Sequence, residues 1–450
     1  MVGAGEFLKQ VKRESLISAS ERYEFNEEGH IVNIHSYYIP LKKIFIKYFM
    51  REISKQELIV FTASCIVLLA LGIDIMLPAF GEVRRHFGLP QDSILTSNIV
   101  AFFFMGQITQ IFFGYLTDRI GRLPVIRLGI LFYIICGVAV VYAPIIELMF
   151  LFRFLAGVGA AAVVMTAVAS VRDRFAGDDM AKIMSFVFSL FLIIPVIAPA
   201  LGSWILQISR WEVVFLIPPF FAIVVFIWTF RIPESHPKEK RTNVGFIKTL
   251  PEIANIFSNK AFIKYTIIAT LLFSILSSWV ASSERIIGEI FHRPDLFPII
   301  FGSIGLLMAS FSILNSYLSK KIGAKRSLRL FLTIYFFVAL ALTVITWVSN
   351  LQPPMILFFI LVALLMALTS AGDPNSSALA LEQMGEKAGL AASVYGTIFF
   401  FIGSSIGTIV STFMKTSLLP FPISALFFSI TTLILFFSLH RKNQNIKKIN

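Results

Sequence analysis

Apolar runs about as long as a bilayer core is thick recur along this chain, and they leave it few ways to fold. They number twelve, at roughly 57–80, 94–116, 124–142, 146–170, 182–206, 211–231, 261–283, 296–318, 328–349, 353–374, 389–413 and 418–439. In lipid a segment must satisfy its own backbone, so each run is predicted to be a membrane-spanning helix. Composition agrees. The 450 residues are 57% hydrophobic and 14% charged. A soluble domain carries about 25% charge, so most of this surface meets hydrocarbon rather than water. The fold class read from the sequence is an all-α membrane protein.

One charged turn recurs. Gly114-Tyr115-Leu116-Thr117-Asp118-Arg119-Ile120-Gly121-Arg122-Leu123 separates the second and third runs. A weaker copy, Ser316-Tyr317-Leu318-Ser319-Lys320-Lys321-Ile322-Gly323, follows 202 positions later, with Lys320 in place of Asp118. A repeat of this kind predicts two pseudo-symmetric six-helix bundles. The chain divides accordingly into an N-terminal extension (1–56), a first bundle (57–232), a linker (233–260), a second bundle (261–440) and a tail (441–450).

The formal charge of +13 would point to nucleic acid in a soluble protein. Here it follows from orientation. With the N-terminus in the cytoplasm, 32 of the 39 Lys and Arg fall on the cytoplasmic side. Arg84, Arg85, Arg210, Arg285, Arg293 and Lys415 fall outside, and Arg153 lies within a span. The positive-inside bias therefore predicts cytoplasmic termini and no nucleic-acid partner. Residues 1–56 are polar and mixed in charge, without a secretory signal pattern. Within them Leu41, Ile44, Phe45, Tyr48, Phe49 and Ile53 alternate with Lys42, Lys43, Lys47 and Arg51 over 40–56. That pattern fits an amphipathic helix on an anionic membrane face, or a docking helix for a cytosolic partner.

Several chemistries are excluded. Cys65 and Cys136 both sit in apolar runs, so no disulfide framework is implied. The six histidines lie in loops and tails, with no metal-ligand spacing. Gly403-Ser404-Ser405-Ile406-Gly407 matches a hydrolase nucleophile pattern, but inside an apolar span it has neither the strand-to-helix turn nor a histidine. No phosphate-binding loop is present, so neither ATP hydrolysis nor enzymatic catalysis is expected, and no cofactor is called for.

Ionisable residues deep in a span are costly and mark function. Asp74 and Arg153 each lie about seven residues from the outer end of their spans, roughly 10 Å deep. Equal depth and opposite charge predict a buried pair, either a proton-exchanging site or a structural ion pair. Desolvation and a guanidinium pull a carboxylate in opposite directions, and such a group can exchange a proton near neutral pH. Pro195, Ala198, Pro199 and Gly202 form a kinked, small-residue face in the fifth span. Arg119 and Arg122 can pair with Asp173 at the cytoplasmic end of the fourth span, forming with Gly114, Asp118 and Gly121 a cytoplasmic gate. In the second half Asp373 and Asn375, in Gly372-Asp373-Pro374-Asn375, and Glu284 are candidates for the substrate cavity or a second titrating group. A second reading makes Asp373 a carboxylate near cytoplasmic water, and Glu284 with Arg285 a pair lining the mouth.

The loop at Gly114 resembles the signature of the major facilitator superfamily, G-x-L-x-D-R-x-G-R-[RK], with Leu123 in place of the final basic residue. Asp74-Ile75-Met76-Leu77-Pro78-Ala79 and Arg153 with Gly157 and Gly159 resemble the first- and fourth-span motifs of its twelve-span drug/proton antiporter branch. Pro195-Val196-Ile197-Ala198-Pro199-Ala200-Leu201-Gly202 and Pro374-Asn375 are similar to the bicyclomycin/chloramphenicol-resistance group of that branch. Some relatives carry a second acid where this chain has Ile66, Ser203 stands where a second glycine is common, and Asp373 is not a feature of the group. The resemblance implies that Asp74 carries protons with Arg153 biasing the exchange, and that Asp118 faces the start of the eleventh span near Gly389 and Ser393. It implies a secondary transporter of a bacterial inner membrane, driven by the proton gradient and exporting a small, partly hydrophobic compound by alternating access. A metabolite or siderophore exporter, an uptake symporter, and a membrane receptor or scaffold using residues 1–56 are the competing readings.

Overall fold

The computed structural model describes residues 19–25, 31–38, 53–175, 177–241, 245–382, 384–414 and 417–438. Among the described residues, twelve helices have the length of membrane spans. They are α1 (Lys55–His86), α2 (Ile94–Ile120), α3 (Arg122–Tyr142), α4 (Ile146–Arg174), α5 (Gly177–Ile208), α6 (Trp211–Trp228), α7 (Lys260–Ile290), α8 (Pro294–Ile322), α9 (Ala324–Val348), α10 (Met355–Leu381), α11 (Ala388–Thr412) and α12 (Pro420–Ser438). All but α5 are apolar over a full span length; in α5 the described apolar segment is Ile193–Ile208. Exposed Leu, Ile and Phe side chains line their outer surfaces, as lipid-facing helices require.

The chain divides into two units by its contacts. The small one runs to Leu58 and includes Phe230–Pro233. It contains an antiparallel hairpin of β1 (Ala19–Phe25) and β2 (Ile31–Tyr38), in register Ala19 opposite Tyr38. The sequence reading placed no strand here. In the same unit Arg231 Nη2 donates to Glu57 Oε2 at 2.9 Å. The amphipathic helix expected over 40–56 lies largely outside the described residues, and its last positions open α1.

In the large unit the repeat is visible in the backbone. Gly121 joins α2 to α3 at φ 102°, ψ 166°, and Gly323 joins α8 to α9 at φ 85°, ψ 150°. Both conformations disfavour a Cβ, so the turn demands glycine twice, 202 positions apart. Lys264 Nζ donates to the Phe436 carbonyl at 2.7 Å, so α7 begins where α12 ends, on what we term the terminal face.

Glycines set how closely the first-half helices approach. A Cβ on Gly157 would lie 2.0 Å from the Phe103 carbonyl oxygen, and one on Gly106 2.4 Å from that of Phe154, so α2 and α4 touch backbone to backbone. Gly129 and Gly159 do the same for α3 and α4. In the second half Gly403 and Gly407 pack α11 against the α7 carbonyls of Thr270 and Ser274. The serine-containing pattern there is thus a helix-packing contact.

The stretch between α6 and α7 is more ordered than a polar linker. Phe246–Ser258 forms a helix whose Phe246, Thr249, Ile253 and Ile256 turn inward, while Ile247, Leu250 and Phe257 form a neighbouring exposed stripe. The Phe246 ring lies 5.3 Å from that of Tyr115 and 6.0 Å from that of Phe112, so the linker helix abuts α2.

Candidate functional site

The first span is interrupted at its acid. Its α-helix ends at Asp74, and a 3-10 turn follows at Leu77–Ala79. Pro78 supplies the reason, because it has no N–H to offer the Asp74 carbonyl four residues back. Broken backbone inside a membrane must be satisfied by neighbours, and two neighbours meet it. From α4, Arg153 donates through Nη2 to the Gly72 carbonyl at 2.7 Å and through Nε to the Ile99 carbonyl of α2 at 3.1 Å. From α5, Gly202 presses on the segment just past the acid, where a Cβ would lie 2.1 Å from the Ile75 carbonyl oxygen. Tyr133 of α3 completes the surround by donating to the Leu68 carbonyl at 3.0 Å.

Asp74 and Arg153 are therefore neighbours but not an ion pair. Asp74 is 5% exposed, and among the described residues its carboxylate has no hydrogen-bond partner. Arg153, 3% exposed, spends its donors on backbone and lies 4.3 Å over the Phe103 ring. The direct pair expected from equal depth is absent: the guanidinium is bonded instead to the carbonyls of Gly72 on α1 and Ile99 on α2. A carboxylate left without a partner remains available for a proton.

On the terminal face the charged turn is organised by Arg122. It holds Asp173 in a two-point contact, Nε to Oδ2 at 2.7 Å and Nη2 to Oδ1 at 3.1 Å, and also pairs with Asp118. Ser235 adds a hydrogen bond to Asp173 at 3.0 Å. Arg119 does not join Asp173; it donates to the Tyr115 hydroxyl at 3.3 Å, one turn back on its own helix. Nor does Asp118 reach the eleventh span. Gly114 does so in its place, a Cβ there falling 2.3 Å from Ser393 Oγ. The contact is reciprocated one turn away, where a Cβ on Gly396 would lie 2.1 Å from Gln110 Oε1. The halves also meet at Gly389, where a Cβ would lie 3.3 Å from Arg172 Nη1 of α4, whereas the Asp118, Arg122 and Asp173 ion pairs stay within the first half.

Sequence reasoning missed Glu234. Its carboxylate accepts from the N–H groups of Arg122 at 2.9 Å and Leu123 at 3.1 Å. Gly121 has no side chain to cap α3, so a residue 112 positions away in sequence from Arg122 does it, at the end of the helix that favours an anion. The available signal was an acid immediately after the sixth span, in Ile232-Pro233-Glu234-Ser235.

In the second half Asn375 occupies the place of Asp173, 202 positions on. It is 3% exposed, donates to Asn315 Oδ1 at 2.6 Å and accepts from Ser319 at 2.7 Å, a neutral counterpart of the charged latch. Its amide is committed to α8 rather than to a cavity. Asp373 is half-buried and accepts from the Tyr395 hydroxyl of α11 at 2.9 Å. Glu284 lies opposite the face on which α7 begins and α12 ends, bonded to Arg84 and not to Arg285, away from Asp373 and Asn375. Among the described residues no group of His, Cys, Asp and Glu is placed to hold a metal ion.

Two pseudo-symmetric six-helix halves around a broken, acid-bearing first span define a membrane transporter. The family model described as Major Facilitator Superfamily matches residues 62–408, and the chain belongs to that family. It is similar to the "Bicyclomycin resistance protein homolog" of Haemophilus influenzae, 27% identical over 354 residues that cover 78% of this chain and 87% of that one. It is also similar to "Chloramphenicol resistance protein CraA" of Acinetobacter baumannii, 25% identical over 52% of this chain and 58% of that one. Among solved structures, the partially occluded inward-open xylose transporter XylE of E. coli superposes with a TM-score of 0.68 at 13% identity, over 85% of this chain and 96% of that one, a likeness of fold alone. The chain is a secondary transporter of the membrane and not an enzyme.

Proposed function

We propose that this transporter exports a small, partly hydrophobic compound in exchange for protons, with Asp74 as the carrier. The observation that carries the reading is the convergence on one stretch of α1: Arg153 holds Gly72, Gly202 presses on Ile75, and between them Asp74 is left unpartnered. The names of its relatives, a bicyclomycin resistance protein homolog and a chloramphenicol resistance protein, support a drug as the cargo. The positive-inside charge count supports a cytoplasmic terminal face and a bacterial inner-membrane location.

In the cycle, Asp74 takes a proton when the cavity opens away from the terminal face. The halves then rock, substrate enters from the cytoplasm, and the proton leaves to that side. Arg153 acts at close range without quenching the carboxylate. One proton descending about one pH unit and about 100 mV supplies roughly 3.7 kcal/mol. At one proton per substrate that sustains a concentration ratio of several hundred. Gly114 with Ser393 and Gln110 with Gly396 close the cytoplasmic side, and the Arg122, Asp118, Asp173 and Glu234 cluster keeps α2, α3 and α4 rigid behind that contact.

The test uses purified protein in liposomes containing a pH-sensitive dye, with wild type and Asp74→Asn compared across a panel of antibiotics and lipophilic cations. Compound-driven proton movement in wild type that disappears in Asp74→Asn is expected. Equal coupling in both would remove Asp74 from the mechanism and leave Asp373 as the carboxylate to examine.

A further inference from the structure

Arg84, in the last turn of α1, is the pivot of a second charged cluster, opposite the face on which α7 begins and α12 ends. Only 2% exposed, it donates through Nη1 to Glu284 Oε2 and Thr96 Oγ1, both at 3.1 Å. Its Nη2 donates to Glu284 Oε1 at 2.9 Å and Glu289 Oε1 at 2.5 Å. Both glutamates come from α7, so this guanidinium ties the first half to the second. Close by, Ser97 of α2 donates to the Ala281 carbonyl of α7 at 2.9 Å.

The two faces differ in kind. Among the described residues, the ion pairs that join the halves are those of Arg84 with Glu284 and Glu289. On the terminal face the described ion pairs lie within the first half, and the halves meet at close glycine contacts, Gly114 against Ser393, Gly396 against Gln110 and Gly389 against Arg172, with no described carboxylate paired across. Opening the terminal face therefore separates packed surfaces. Opening the other must pull a buried guanidinium away from two carboxylates, and a buried pair once broken leaves uncompensated charge. A proton on each carboxylate removes that obstacle, since a neutral carboxyl holds the guanidinium far more weakly.

We propose that Arg84, Glu284 and Glu289 form the gate of this face, and that protonation of the two glutamates releases it. The other charged groups facing the cluster are Arg285, whose Nε lies 3.5 Å from Glu289 Oε2, and Asp92, which acts on Arg285 and Glu289 through space. The gate is thus a second proton-responsive site, separate from Asp74, that couples external acidity to outward opening. The proposal rests on the transport reading, but its test does not depend on Asp74.

The experiment measures the distance across this face in the full chain by pulsed electron spin resonance. Labels are placed at Ser209→Cys in the first half and Asn350→Cys in the second, with Cys65 and Cys136 replaced by alanine. The background is Asp74→Asn, so that a pH response arises elsewhere. Between about pH 7.5 and about pH 5 the long-distance population is expected to grow. In Glu284→Gln/Glu289→Gln it should be large at both values, the closed-to-open ratio falling roughly tenfold, as for one lost charge-assisted hydrogen bond. Arg84→Gln should behave alike, and the exchanged pair Arg84→Glu/Glu284→Arg should recover part of the closed population. Size-exclusion profiles identify variants that fold. A pH response that survives in the folded Glu284→Gln/Glu289→Gln variant, or distances unchanged by it at both pH values, would overturn the proposal.

Discussion

The Arg153 guanidinium bonds the carbonyl of Gly72, two residues before Asp74, and not the Asp74 carboxylate. A lysine has the charge but not the fork that reaches Gly72 and Ile99 together. Arg153→Lys is therefore expected to lose transport by at least about tenfold, as Arg153→Ala does, because each forfeits a charged hydrogen bond. Both should also lower stability by about 1–3 kcal/mol through an unsatisfied buried carbonyl. Uptake assays beside thermal unfolding in detergent separate this from a simple charge effect, under which the lysine variant would retain most activity.

Gly202 has no room for a methyl group, since its Cβ would meet the Ile75 carbonyl oxygen at 2.1 Å. Gly202→Ala must push α5 from α1, an overpacking that costs about 1–3 kcal/mol. Ser203→Ala, next along α5, should be close to neutral. The melting temperatures of the two variants, measured side by side, decide the point.

On the terminal face, Gly396→Val is expected to hold the halves apart where Gln110 now fits against the Gly396 backbone. Labels on the ends of α2 and α11 should report a longer distance than in wild type, with net export lost and substrate binding from the cytoplasmic side retained. An unchanged distance would mean that this glycine is not part of the gate.

Glu234 caps α3 from across the first half. Removing it in Glu234→Ala should cost about 0.5–2 kcal/mol, the range for loss of an N-terminal cap. Glu234→Gln retains a carbonyl acceptor and should lose less. Chemical denaturation of the two variants gives the ordering.

The second half offers a test of the internal symmetry. Asn375→Asp places a carboxylate where only Asn315 and Ser319 wait, and an unpaired buried charge should destabilise the bundle. Ala324 stands where the first half has Arg122, so Ala324→Arg added to Asn375→Asp should restore part of the loss. A double variant no better than the single one would show that the two latches are not equivalent positions.

The sequence alone determined the solvent, the span count and the repeat. Hydrocarbon admits only helices of a fixed length, so runs of that length and a charged turn repeated at Gly121 and Gly323 dictate two six-helix halves. It also marked Asp74, Arg153 and Gly202, because charge is rare inside a span and Pro78, Pro195 and Pro199 advertise broken helices. Tertiary structure decided which groups these residues meet. Arg153 took carbonyls rather than a carboxylate, because packing of α4 against α1 and α2 brought those of Gly72 and Ile99 within reach. Gly114 rather than Asp118 touched Ser393, since close approach selects the residue without a side chain. Glu234 and Arg84 found partners 112 and 200 positions away. Spacing along one helix carries no record of such meetings, which are fixed only when separate helices pack and each buried donor must find an acceptor.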